Sequence, residues 1–253
     1  VLKLMTDASK AEPSIEELIS MLKKTGLPTV VVEGQDDMIV YRKLEARLDN
    51  IGISILPVGG RLNVLEIFQR RNELPASVRL AFIADQDTWV NTGVPTDYAH
   101  PLLILTSGYS IENDIFTDGN LINLLTPQEN TKFLAELQEF IEWYSLALHR
   151  HLSDAAHPIA RHPEQVLDPA QRTNLLALKN GEHYPETLRQ LIANDYAKLL
   201  RGKSLLALLV RNTNYKGRHP RHTDKAFMEM VAIRPGPSLQ RVAQEVEAAF
   251  ANV

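Results

Sequence analysis

The chain contains no cysteine, which excludes a disulfide framework and a thiolate zinc site and leads us to expect a cytoplasmic protein. No apolar run approaches the ~20 residues needed to cross a bilayer, so no membrane association is expected. The opening residues VLKLMTDASK also lack the long apolar stretch of a signal peptide. Positive charge is scarce too. A formal net charge of -4 is not the whole-chain excess expected of a nonspecific nucleic-acid binder, so any basic surface must be local. Internal repeats and low-complexity segments are absent. At 253 residues the chain can bury a proper core and fits a core with an appended subdomain.

What the chain does have is carboxylates placed where apolar runs end. Residues 28–37, PTVVVEGQDD, read as a short buried strand ending in Glu33, followed directly by a helical pattern. In open α/β sheets the carboxyl ends of the strands are where ligands bind. Residues 53–58, ISILPV, form a second candidate strand. The Gly59-Gly60 pair behind it lets the backbone come close to a phosphate or a neighbouring carboxylate. Residues 78–84, VRLAFIA, end in Asp85-Gln86-Asp87. On an extended chain alternate side chains share one side, so the two aspartates are expected to converge on one cation. A fourth run, residues 101–106, PLLILT, leads into Ser110-Ile111-Glu112-Asn113-Asp114. If these strands are parallel neighbours, Glu33, Asp85, Asp87 and Glu112 or Asp114 gather at one sheet edge. Such a gathering repels itself unless a divalent metal neutralises it. Oxygen ligands of this kind suit one or two magnesium ions, the arrangement that cuts phosphodiesters by in-line attack.

These residues bear a family likeness. Glu33-Gly34 after a valine-rich strand, Asp36-Asp37 opening a helix and Asp85-x-Asp87 closing a later strand resemble the Toprim superfamily. That superfamily includes topoisomerases, bacterial primases, a ribosomal RNA maturation nuclease and the overcoming-lysogenization-defect (OLD) nucleases. The wording VVEGQDD is close to the RNA maturase. SIEND and Arg201-Gly202-Lys203-Ser204-Leu205-Leu206 look more like OLD-type and standalone defence Toprim proteins. Among the latter is the effector paired with an ATPase in the phage anti-restriction-induced system. The resemblance covers roughly the first half of the chain, and the second half through that one late motif.

The resemblance implies an α/β fold: a Toprim-like parallel sheet flanked by helices over residues 1–118, with a helical C-terminal region, 119–253, that completes the site. It further implies a magnesium-dependent endonuclease, with manganese as a substitute, acting in antiviral defence. An ATPase partner is implied, and RNA, transfer RNA included, is slightly favoured over DNA. Asp85 and Asp87 are the implied metal ligands, with Glu33 a third ligand or a general acid/base and Glu112 completing the second metal position. Lys203 would offset charge at the scissile phosphate; the family's lysine follows an acidic residue and a glycine, and here Arg201 replaces that acid. The alternative is a Toprim module that docks on an ATPase or nucleic acid without chemistry. Strand passage is disfavoured, because a chain this short has no room for gate domains. The mild net charge suits an enzyme that gains affinity from a partner or from homodimerisation.

Basic residues are expected at two places. Arg61, beside the paired glycines, can reach a substrate backbone. Residues 211–221, RNTNYKGRHPR, concentrate Arg211, Lys216, Arg218 and Arg221 around Tyr215, the best candidate for phosphate contact in the chain. Residues 88–99 read as a polar loop in which Trp89 offers a stacking surface. His149, His151, His157 and His162 invite a zinc reading, but the first two point to different helix faces and no cysteine assists them.

Overall fold

A computed structural model describes residues 13–251; the reading of residues 1–10 lies outside them. The α/β layer runs α1 (Ile15–Leu22), β1 (Thr29–Val32), α2 (Met38–Arg47), β2 (Ser54–Pro57), α3 (Arg61–Gln69), β3 (Leu80–Ala84), α4 (Trp89–Thr92) and β4 (Leu103–Leu105). The four strands form one all-parallel sheet in the order β2-β1-β3-β4. Every residue of β1 and of β3 is buried, whereas β2 and β4 are only partly so. That is why the continuous apolar runs VVV and LAFIA take the centre and the shorter strands the edges.

Strand alternation divides the valines between two layers. Val30 and Val32 face Tyr41, Leu44 and Leu48 of α2, while Val31 faces Leu18 and Leu22 of α1 and Phe68 of α3. Helix α1 starts as its sequence predicts: Ser14 accepts the Glu17 N–H, and the Glu17 carboxylate accepts the Ser14 N–H. Both sheet edges are blunted by side chains. Glu45 accepts the Ile55 N–H of β2, and Arg241 donates to the Leu105 carbonyl of β4 at 2.6 Å.

After β4 the chain is helical: α5 (Ile111–Asp118), α6 (Pro127–Ser153), α7 (Pro163–Val166), α8 (Pro169–Leu175), α9 (Glu186–Asn194), α10 (Tyr196–Leu199), α11 (Gly202–Thr213), α12 (Asp224–Ile233) and α13 (Pro237–Ala251). Their core is built on α6, with Phe133, Leu137, Phe140 and Tyr144 on its buried face, packed with Leu205, Leu208 and Leu209 of α11. The last helix joins this group only through Leu239. Val242, Val246, Ala249 and Phe250 of α13 pack against β1, β3 and β4, so the sheet is covered by both ends of the chain. Among the described residues no helix is long and apolar enough to cross a membrane.

Candidate active site

The connection from β2 to β3 crosses beyond β1, so the strand order reverses between β1 and β3, and a crevice opens at their carboxyl ends. Glu33 follows β1 and Asp85 follows β3, and the two meet there: Glu33 Oε1 accepts the Asp85 N–H at 2.7 Å. The paired glycines close the third side. Gly59 and Gly60 have φ of 84° and 130°, which side-chain-bearing residues rarely adopt, and Gly60 donates its N–H to the Glu33 carbonyl at 2.7 Å.

Helix α5 brings the next group. Asp85 Oδ1 accepts the Ile111 N–H at 3.0 Å, tying β3 to the start of α5. Each polar residue of SIEND has a separate task. The Ser110 hydroxyl donates to Glu112 at 2.6 Å; Asn113 accepts the Ser110 N–H and donates to the carbonyls of Ala197 and Leu200. Asp114 instead accepts the N–H groups of Ser107 and Gly108. Glu112 therefore joins the carboxylate group, while Asp114 shapes the loop behind it.

Through Asn113 the loop before α11 is fixed against α5, and this contact has room only for glycine. A Cβ on Gly202 would lie 2.2 Å from Ser110 Oγ and 2.5 Å from Asn113 Oδ1. Lys203 is thereby delivered to the carboxylates from a segment remote in sequence. A cleft of about 480 Å³ is lined by Glu33, Asp36, Asp37, Gly60, Asp85 and Lys203. A second, of about 630 Å³, shares Asp36, Asp37 and Lys203 and follows α11 past Leu206 toward Arg211.

Crowding shows in the acidities. Burial raises Glu33 to about 7, with Asp87 adding repulsion against the Asp85 N–H bond. Asp85 is pushed well above the ordinary carboxylate range by burial and by Glu33 and Glu112. Asp87 is raised by burial, with Arg61 and Arg201 opposing. Asp37, a residue the sequence presents as an ordinary helix-start acid, is raised to about 6 by burial and Glu112, with Lys203 opposing. It occupies the N-cap position of α2 without bonding an amide there. Its side chain belongs to the site.

Several expectations are corrected. Asp85 and Asp87 do not share one side of an extended strand: β3 ends at Ala84, and Asp87 has a left-handed φ of 49°. Asp87 turns to Arg61, 3.5 Å away, while Asp85 turns to α5. Arg61 is not offered to a substrate. It holds the Asp85 and Gln86 carbonyls and lies 3.9 Å over the Trp89 ring, so it clamps this loop and covers Trp89. The 88–99 segment contains α4 and a 3-10 turn at Thr96–Tyr98, with Trp89 packed 4.9 Å from Tyr98.

Two cations of the basic segment are paired within the chain. Arg218 pairs with buried Glu129 at 2.8 Å, Tyr215 donates to the same carboxylate, and Arg211 pairs with Glu136 at 3.0 Å. Lys216 and Arg221 are exposed. Of the histidines, His151 meets the His157 carbonyl through Nδ1.

The donor chemistry of Glu33, Asp37, Asp85, Asp87 and Glu112 fits a hard, oxygen-seeking cation. As the side chains stand, however, no three histidine or acidic groups among the described residues are placed to hold a metal ion. Glu33, Asp85 and Glu112 each give one oxygen to a protein donor, which leaves the other oxygen of each carboxylate for a cation. Compared with known protein families and with curated proteins, the chain matches none.

Proposed function

We propose that the chain is a metal-dependent endonuclease of Toprim type, acting with an ATPase partner in antiviral defence. One observation carries the reading: Glu33, Asp85 and Glu112 come from three separate segments, crowd at a sheet switch point, and are joined there by Lys203. Buried like charges of this kind raise one another's pKa values, a cost expected at functional sites. The order of the signals along the chain, a glutamate after the first strand and Asp-x-Asp after the third, supports the Toprim resemblance.

Asp85, Asp87 and Glu112 would hold magnesium, with Glu33 as a further ligand. When bound, the ion would supply charge neutralisation and an activated water. Glu33, at about 7 in the metal-free protein, is poised to take or give a proton near neutral pH. Lys203 offers positive charge to an anionic transition state. RNA is slightly favoured over DNA on the VVEGQDD likeness alone.

A second reading, a binding module without chemistry, is favoured because no three acidic or histidine groups among the described residues are placed to hold a metal ion. The two separate in one experiment: the protein is incubated with magnesium or manganese and total transfer RNA, plasmid and single-stranded DNA, beside Glu33→Ala and Asp85→Ala. Metal-dependent cutting lost in folded variants supports the nuclease. Nucleic-acid binding without cutting, unchanged in both variants, supports the module.

A further inference from the structure

Most cations near the site are already committed. Arg61 holds two carbonyls and pairs with Asp87, and Arg211 and Arg218 pair with Glu136 and Glu129. Two are not. Among the described residues, the side chains of Arg201 and Lys203 make neither a hydrogen bond nor an ion pair; they act on their surroundings through charge, Arg201 on Asp87, Tyr109 and Tyr144 and Lys203 on Asp37 and Asp87.

Their placement is rigid. Asn113 holds the Leu200 carbonyl at 2.9 Å just before Arg201, and Gly202 lies packed against Ser110 and Asn113 just after it. Asp87 is hung from the same turn, its N–H donating to the Tyr109 carbonyl at 2.7 Å, and Tyr109 donates its own N–H to the Lys198 carbonyl at 2.8 Å. The 109–113 turn thus fixes both Asp87 and the Arg201 backbone, and Arg201 is half-buried there. A half-buried guanidinium without a hydrogen-bonding partner keeps its donors free for an anion, beyond the longer-range attraction of Asp87.

We propose that Arg201 is a substrate-positioning residue that grips a phosphate of the nucleic-acid backbone, the one next to the phosphate served by Lys203. Guanidinium suits this task, since its planar donors bind phosphate oxygens in pairs. Two cations flanking Gly202 then seat consecutive phosphates of one strand across the carboxylates. The inference rests on the nuclease reading and specifies how the same site takes its substrate.

The test measures binding of fluorescein-labelled oligothymidylate and oligouridylate in calcium, across a salt series, and cleavage of the same probes in magnesium. Wild type is compared with Arg201→Ala, Arg201→Lys and Arg201→Glu, each first shown to melt like wild type. We expect Arg201→Ala to bind about tenfold more weakly or worse. The slope of log affinity against log salt should fall by about one ion. Arg201→Lys should recover most of the affinity and Arg201→Glu lose more than alanine. The DNA and RNA arms tell which backbone is held. If wild type binds and cuts while Arg201→Ala does both equally well, the inference falls and the nuclease reading stands. If wild type neither binds nor cuts either probe, both fall.

Discussion

If the buried carboxylates await a cation, then without it they must weaken the fold, and Glu33→Gln measures by how much. The pKa of Glu33 rises from 4.5 to about 7 on folding, chiefly through burial. A group raised in this way contributes its full share of stability below pH 4.5 and loses it as pH rises through about 7. At 1.36 kcal/mol for each tenfold change in proton affinity, ionising Glu33 at pH 8 costs about 3 kcal/mol. Asp37, raised to about 6 for the same reason, moves stability in the same direction. Glutamine keeps an oxygen to accept the Asp85 N–H and removes the charge, so the loss of a charge-assisted bond offsets only part of the gain. In chelator, wild type should melt lower at pH 8 than at pH 5. Glu33→Gln should match it near pH 5 and exceed it at pH 8 by roughly 4–10 °C, taking about 2–4 °C per kcal/mol for a chain of this size. Magnesium should raise the wild-type midpoint at pH 8 and move the variant much less. The assay is thermal unfolding followed by circular dichroism. A wild-type midpoint that stays level from pH 5 to pH 8 in chelator, or a variant no more stable at pH 8, would refute the electrostatic account.

Other outcomes follow from the same contacts. Gly202→Ala places a Cβ 2.2 Å from Ser110 Oγ; overpacking of this kind should cost about 1–3 kcal/mol in urea unfolding and displace Lys203, lowering any magnesium-dependent cleavage out of proportion to stability. Lys203→Ala, at an exposed position, should leave the urea midpoint unchanged while reducing single-turnover cleavage by about 100-fold or more. Arg218→Ala strands the buried Glu129 carboxylate and should cost about 2 kcal/mol at pH 7. Burial pushes Glu129 up, but Arg218, the Thr126 N–H and Tyr215 together bring it down to about 2. Its contribution is therefore complete above pH 4.5 and fades as pH falls toward 2, so the midpoints of wild type and Arg218→Ala should converge in acid.

Which parts of this arrangement the sequence discloses depends on how far apart the cooperating residues lie. Glu33 and Asp85 are legible because an apolar run fixes where a strand ends, and a residue at that end faces the crevice whatever covers the sheet. SIEND is legible as a helix start for the same local reason. The division of labour inside it is not, because Glu112 and Asp114 part company only over which backbone they meet. Asp37 is legible as an acid opening a helix, but its character comes from burial, Glu112 and Lys203, and Lys203 arrives on a helix distant in sequence.

Long cationic side chains are the least legible of all. Arg61 and Arg218 look in sequence like free positive charge beside a glycine turn and in a basic run, yet one holds carbonyls 24 and 25 residues away and the other a carboxylate 89 residues away. A flexible stem reaches whichever acceptor tertiary packing leaves unpaired, and a local pattern does not encode that choice. The same reasoning sharpens the meaning of Arg201 and Lys203. Elsewhere around the site the fold has found acceptors for Arg61, Arg211 and Arg218, whereas Arg201 and Lys203, on a segment pinned by Asn113 and Gly202, keep their donors unbonded and open to a substrate anion.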